Sequence, residues 1–274
     1  MILVADSGST KTQWITETQS IETRGINPVR DSKEHILEII RTELMPSLHS
    51  ADVSGIFFYG AGCIEPFMSS VREALAEVFA RSCIEVESDL LGAARALCHD
   101  DEGIACILGT GSNSCLCKEG RIVSNVSPLG FILGDEGSGA ALGRLFMADF
   151  LKGLVPQPLS DEFAAAFPVD YPTVVREVYK SPAPSAYLGS FAPWILERAG
   201  VPGYARDLVE ANFRAFCERC LLQYDVATWP VGVVGGFGKA ARGLLEPVAA
   251  SYGIRISAFQ DDIMDSLVQY HYER

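Results

Sequence analysis

Residues 6–12 read DSGSTKT, set between the apolar run ILVA (2–5) and QWITE (13–17). A single glycine flanked by small hydroxyl residues, with a strand-like run on each side, predicts a tight hairpin. The backbone N–H groups of such a turn can approach an anion closely. The arrangement recurs. GTGSN (109–113) follows the apolar run of GIACIL and leads into SCLC, and GSNSC (111–115) aligns with GSTKT (8–12) at an offset of 103 residues. One repeated hairpin opening two comparable halves points to an internal duplication. A third glycine turn, GGFGKAA (235–241), joins a strand to a helix. None of the three has the GxxxxGK[ST] spacing of a P-loop, and none is a clean GxGxxG in a βαβ unit. Two glycine-hydroxyl hairpins facing each other would hold a polyphosphate from both sides.

Outward from these turns, strands alternate with helices. The run 53–62 (VSGIFFYGAG) reads as a buried strand ending in glycines, and CIEVESD (83–89) as another. KEHILEIIRTELMPSL (33–48) has apolar residues at helical spacing, EPFMSSVREALAEVFARS (65–82) reads as a helix with Pro66 in its first turn, and LLGAARALCHD (90–100) as a third helix. A long helix is expected from near Glu136, followed by a Pro-rich middle (168–185), helices over 186–224, a strand near IRISAF (254–259) and a closing helix in DDIMDSLVQYH (261–271). This alternation predicts an α/β fold. The 274 residues suit two domains of average size.

The formal charge is −13, with a pI near 4.8. Such a surface repels phosphate backbones and anionic lipid, so neither nucleic acid nor membrane is an expected partner. No run of eighteen apolar residues predicts a membrane span, and no basic segment precedes the first strand to suggest a signal peptide, so a cytoplasmic protein is expected. The eight cysteines mostly lie in apolar runs and read as small buried hydrophobes. A zinc site shared by Cys115, Cys117, Cys217 and Cys220 stays open on spacing alone.

Asp6-x-Gly8-x-Thr10-Lys11-Thr12, GINP (25–28), Asp89 opening DLLGAARA, GTGSN, PLGFILGDEGSG (128–139) and the closing DDIMDSLVQYH occur in order along most of the chain. Together they resemble the N-acetylglucosamine kinase and BadF/BadG-type ATPase branch of the actin-like sugar kinases. The resemblance implies two RNase H-like domains, 1–104 with 260–274 and 105–259, with an ATP cleft between them. It implies ATP and Mg²⁺ as cofactors, an amino sugar as substrate, and a homodimer. Asp6 would hold Mg²⁺ through water. Gly8, Ser9 and Thr10 from one hairpin, and Gly109, Thr110 and Gly111 from the other, would cradle phosphates. Gly200, Gly236 and Phe237 would approach the adenosine. Asn27, Gly130 and Asp135 would bind sugar, and Asp89, also at the sugar, would act as catalytic base. The reaction implied is phosphorylation of N-acetylglucosamine at its 6-hydroxyl.

The chemistry is consistent with these residue types: in-line phosphoryl transfer needs a metal, phosphate donors and a positioned alcohol. The two acids of GDEGS (134–138) are expected at a helix start, where the dipole favours them. Two alternatives follow from the same resemblance. One is an ATPase activator of an electron-transfer enzyme, with Cys63 or Cys98 holding an Fe–S cluster across a dimer. The other is a sugar-binding regulator without catalysis, against which Asp6, Thr10, Asp89 and Thr110 argue.

Overall fold

The computed structural model describes residues 1–8, 10–50 and 52–272. In chain order, β1 (Ile2–Ser7), β2 (Lys11–Ile15) and β3 (Ser20–Arg24) are followed by helices α1 (Lys33–Ile39) and α2 (Met45–Ser47), β4 (Gly55–Gly60), α3 (Met68–Val78), β5 (Cys83–Ser88) and α4 (Asp89–Cys98). The second series runs β6 (Gly103–Leu108), β7 (Ser112–Lys118), β8 (Arg121–Val126), α5 (Gly130–Leu133) and α6 (Gly139–Leu151). It continues through α7 (Gln157–Ala166), α8 (Tyr171–Tyr179), α9 (Pro184–Gly189), α10 (Ala192–Arg198) and α11 (Tyr204–Arg219) to β9 (Val231–Val234). Helices α12 (Gly236–Ala240) and α13 (Arg242–Ser251), strand β10 (Ile256–Gln260) and helix α14 (Met264–Tyr272) close the chain.

The two five-stranded sheets have the orders β3-β2-β1-β4-β5 and β10-β9-β6-β7-β8. Each is a three-strand meander whose first strand is extended by two further strands, so the predicted duplication is present in the topology. In the first sheet β1 pairs antiparallel with β2 and parallel with β4, and β4 pairs parallel with β5. In the second, β6 pairs parallel with β9 and β9 with β10.

The chain divides into two compact units. Unit 1 comprises 1–101, 117–122 and 262–274, and unit 2 comprises 102–116 and 123–261. The core of unit 1 is built on Trp14, Ile36, Phe58 and Leu75, all fully buried. That of unit 2 includes an aromatic cluster in which Phe163 contacts Phe146 and Trp194 edge-on, at centroid distances of 4.7 and 5.1 Å.

Two local expectations are corrected. Pro66 precedes α3, which begins at Met68. The helix over 33–48 is not uniform: ahead of Pro46, Met45 N–H reaches back five residues to Ile40 O, a wider turn that admits a residue with no N–H to give. In the Pro-rich middle, to which the sequence assigned no elements, prolines start helices, with Pro172 in the first turn of α8 and Pro184 in that of α9. Pro fits there because the first N–H groups of a helix have no intrahelical partner.

Helix α14 returns to unit 1 and packs on α4 and β1. Its His271 stacks on Phe57 at 3.8 Å, and Nε2 lies 2.7 Å from Tyr59 Oη. Arg95 donates to the same hydroxyl at 2.6 Å and pairs with Glu85. Burial, with the Arg95 charge adding to it, lowers the His271 pKa from 6.5 to about 4. The unfolded chain therefore binds a proton that the native state refuses, and stability is lost as pH falls from about 6.5 to about 4. The loss amounts to up to about 3 kcal/mol. His271→Phe is expected to flatten this part of the stability–pH curve in urea titrations between pH 4 and 7. An unchanged acid limb would show that the proton uptake occurs elsewhere.

Candidate active site

In unit 1, β1, β4 and β5 run parallel with Ser7, Gly60 and Ser88 in register at their C-terminal ends. This is the edge of a parallel sheet where ligands bind. Asp6 sits one residue before the end of β1, and Asp89 directly after β5. Ser88 caps α4, accepting from Leu91 N–H at 3.2 Å. The capping role thus falls to Ser88, and Asp89 is the first residue of the helix, where its Oδ1 accepts Leu90 N–H at 2.8 Å. Burial raises the Asp89 pKa from its ordinary value, against the backbone hydrogen bonds its carboxylate accepts.

Burial also raises the Asp6 pKa, to about 7, helped by the negative charges of Asp89 and Asp262. Asp262 lies just ahead of α14 and accepts Met264 N–H at 3.0 Å. Lys11 lowers the Asp6 value but is directed to the surface, 3.1 Å from Glu22. Asp6 thus feels the charges of Asp89 and Asp262, while the Lys11 ammonium is paired with Glu22. Among the described residues no three His, Cys, Asp or Glu gather as a ligand set. The zinc arrangement left open for Cys115, Cys117, Cys217 and Cys220 is therefore not formed among the described residues.

The first hairpin is closed by Gly8 N–H donating to Lys11 O at 3.0 Å. Ser9 lies outside the described residues. Ser7 and Thr12 are buried and brace the turn from below: their hydroxyls are 2.6 Å apart, and Ser7 Oγ accepts Ile26 N–H at 2.9 Å. Gly25 supports it from the side, donating to Thr10 O at 3.0 Å. A Cβ on Gly25 would stand 2.5 Å from Gly8 O and 2.8 Å from Thr10 N. Gly25→Ala must therefore displace backbone, at about 1–3 kcal/mol. The expected results are a lower melting temperature and a several-fold weaker affinity for ATP in a fluorescent-nucleotide titration; unchanged affinity would remove the turn from the nucleotide site. Asn27 begins a turn of its own, with Oδ1 accepting Val29 N–H at 3.0 Å and its N–H donating to Asp31.

In unit 2, the turn Gly109–Thr110–Gly111 is braced by the start of α6. Gly139 N–H donates to Gly109 O at 2.9 Å and Ala140 N–H to Thr110 O at 3.0 Å. The first amides of that helix are thereby used, and Gly109 N–H closes the turn by donating to Gly111 O at 3.0 Å. Asp135 is buried beside the turn, within 3.2 Å of a Cβ built on Gly111. Burial raises its pKa and Glu136 adds to the effect. The expectation that Asp135 and Glu136 open a helix is corrected: Asp135 is left-handed (φ 55°) and Ser138 is the cap of α6. Asn212, reaching in from α11, holds this loop by accepting Gly137 N–H and donating to Ser138 O, both at 3.1 Å. Gly130 is exposed at the start of α5, on the same loop, and its carbonyl accepts Gly134 N–H at 2.8 Å.

Gly235 (φ 118°) brings the third glycine turn against the second, since a Cβ there would stand 2.5 Å from Leu108 O. Gly236 is exposed, and Phe237 lies over Gly139 and 5.8 Å from the Phe213 ring. Gly200 is in the exposed link between α10 and α11, with open space around it.

The sequence-derived residues thus form two groups. Asp6, Gly8, Thr10, Asn27 and Asp89 lie in unit 1. Gly109, Thr110, Gly111, Gly130, Asp135, Gly200, Gly236 and Phe237 lie in unit 2. Three supporting residues were not singled out from sequence. Asp262 is at the far end of the chain from Asp6. Gly25 shows its role only once β3 folds back, and Asn212 sits mid-helix with nothing local to mark it.

The duplicated sheets define the fold of an actin-like ATPase. The chain superposes on a solved Porphyromonas gingivalis protein described as a "Putative N-acetylglucosamine Kinase" with TM-score 0.95 and 40% identity, covering 100% of this chain and 99% of that one. A Chromobacterium violaceum structure with the same description matches at TM-score 0.71 and 18% identity, covering 98% and 99%. The fold is also shared with a MamK mutant bound to AMPPNP, at TM-score 0.57 and 11% identity over 98% and 96% of the two chains. No family model matches the sequence, and no curated protein does. On the full-length match at 40% identity, the chain belongs to the family of that N-acetylglucosamine kinase-like protein.

Proposed function

We propose that this protein transfers the γ-phosphoryl group of ATP to an amino sugar, with N-acetylglucosamine converted to its 6-phosphate. The observation that carries the reading is the placement of Asp6 and Asp89 at the C-terminal ends of the parallel strands β1 and β5, with the charge of Asp262 acting on Asp6. The two duplicated halves act as the two domains of the enzyme, 1–104 with 260–274 and 105–259. Asp6, with Asp262 behind it, would hold Mg²⁺ through water. Bound there, the ion would neutralise charge on the phosphates.

Ser9, Thr10, Thr110 and Gly111 would donate N–H and hydroxyl hydrogens to the phosphates, while Gly8 and Gly109, whose N–H groups close the two turns, would let the phosphates approach the backbone. Gly200, Gly236 and Phe237 would flank the adenosine. Asn27, Gly130 and Asp135 would orient the sugar, and Asp89 Oδ would take the proton of its 6-hydroxyl. Burial favours Asp89 in that role by raising its basicity. A cytoplasmic homodimer is part of the same reading.

The electron-transfer activator is less well supported. Cys63 is buried, and burial pushes its thiol up to about 12, with Asp89 and Glu87 adding to the shift. It offers no surface thiolate to a cluster shared between subunits.

The test is ADP release with ATP and Mg²⁺ across N-acetylglucosamine, glucosamine, N-acetylmannosamine, N-acetylmuramic acid and glucose. Sugar-dependent release, greatest with N-acetylglucosamine, is expected. ADP release indifferent to every sugar would overturn the kinase reading, and tight sugar binding without turnover would favour a regulator.

A further inference from the structure

Two helices of unit 2 turn stripes of the same spacing toward one groove. On α6 and its C-cap, Arg144, Met147, Ala148, Leu151 and Lys152 stand at i, i+3, i+4, i+7 and i+8. On α8, Tyr171, Val174, Val175, Val178 and Tyr179 repeat that spacing. Positions so spaced share one helix face. The floor between them is α9, which packs on both helices and contributes Leu188. The close approach needs Gly143 on α6, because a Cβ there would overlap Leu188 O. Phe131 and Ile132 of α5 complete the lining. The groove has a volume of about 580 Å³, within the range of small-molecule sites. Apolar side chains at its rim stay in water: Ile132 is 71% exposed and Tyr179 80%.

The charge around the groove has one sign. Arg144 and Lys152 are the only charged residues that line it. Both are exposed, and neither has an ion pair or side-chain hydrogen bond among the described residues. The acids of the two helices are engaged elsewhere. Asp149 accepts from Tyr204 Oη at 2.7 Å, Asp170 caps α8, and Glu177 pairs with Arg176. Eight residues of helix set the two cations about 12 Å apart along α6, with Met147, Ala148 and Leu151 between them. An apolar groove bracketed by two unpaired cations complements an apolar body that carries an acidic group. A second copy of the chain is disfavoured there, because two surfaces of net charge −13 repel. None of the residues assigned above to ATP or sugar lines the groove.

We propose that this groove binds an elongated apolar carboxylate of the size of a medium-chain fatty acid. The chain lies between the Met147–Leu151 stripe and the valines of α8. Its carboxylate is held by Arg144, whose planar fork matches the two oxygens, and Lys152 adds to the field from the other end. Burial of the chain supplies most of the affinity, and the cations select against neutral molecules of the same shape. The proposal does not rest on the kinase reading, because its test reads binding and not turnover.

Decanoate is titrated into the full chain by calorimetry below its micellar concentration, with decanol as the neutral counterpart. Saturable one-to-one binding is expected, with decanol at least about tenfold weaker. Arg144→Gln is expected to weaken decanoate by at least about tenfold and to leave decanol unchanged. Val175→Asp, which puts a negative charge in the groove, is expected to abolish decanoate binding. Melting temperature reports whether each variant folds; if Val175→Asp does not, the exposed Arg144→Gln carries the comparison. Equal affinity for decanol and decanoate, an Arg144→Gln variant that binds decanoate like the parent, or heats that never saturate would each overturn the proposal. So would a dimer in sedimentation that Val175→Asp dissociates, which would give the groove to a second copy of the chain.

Discussion

Asp89→Asn is expected to lower kcat by a factor of about 10²–10⁴, the range for losing a general base, while ATP and sugar still bind. Amide and carboxylate are nearly the same size, and Asp89 is held by Leu90 N–H, a bond that the Asn carbonyl oxygen can also accept. Ser88, not Asp89, caps α4, so the helix keeps its start and folding is not at issue. What the proposed mechanism would lose is the acceptor for the hydroxyl proton. The measurement is kcat by coupled ADP release, alongside sugar affinity by calorimetry. Near-wild-type turnover would sink Asp89 as the base. Loss of sugar affinity in step with turnover would make it a binding residue only.

The second large effect is expected at Asp6, where function and stability pull in opposite directions. Its pKa is raised from 3.8 to about 7 by burial and by Asp89 and Asp262. The native state therefore binds a proton more tightly than the unfolded chain. Without a metal, the ionised carboxylate costs stability that appears as pH rises from about 4 and is complete above about 7. The cost has an upper bound of about 4 kcal/mol. Asp6→Asn is expected to be more stable than the parent at pH 8 in the presence of EDTA, and no more stable at pH 4. The same variant is expected to lose turnover by at least about a hundredfold, because the group that would hold Mg²⁺ through water has lost its charge. Mg²⁺ with ATP should stabilise the parent and not the variant. Equal stability of the two proteins at pH 8, or full turnover in Asp6→Asn, would remove Asp6 from the metal site.

Both expectations depend on residues whose proximity is not local. The fold was legible early because its signals are short-range. Strand-to-turn junctions at 6–12 and 109–113, apolar runs at 53–62 and 83–88, and helical spacing over 33–48 are each set by neighbouring residues. The repeat of one hairpin was enough to predict two like halves, and the sheet orders repeat accordingly. Boundaries were less legible. A proline can break a helix or start one with equal local sense, so the helices at 171–179 and 184–189 emerged only from packing. The acids of GDEGS looked like helix-start residues until the left-handed backbone of Asp135 moved the start to Gly139.

The candidate site divides along the same line. Sequence alone determined the hairpins, the alternation of strands and helices, the acidic charge and which carboxylates lie next to strand ends, because these depend on residue type and on spacing of a few positions. Only the tertiary structure decided that Asp262 adds its charge to that of Asp6 and Asp89, that Gly25 supports the first turn and Asn212 the second acidic loop, and that Ser7 and Thr12 are structural. The physical reason is range. Coulomb energies, desolvation and close backbone approach depend on distance in space, and folding brings together groups separated by most of the chain.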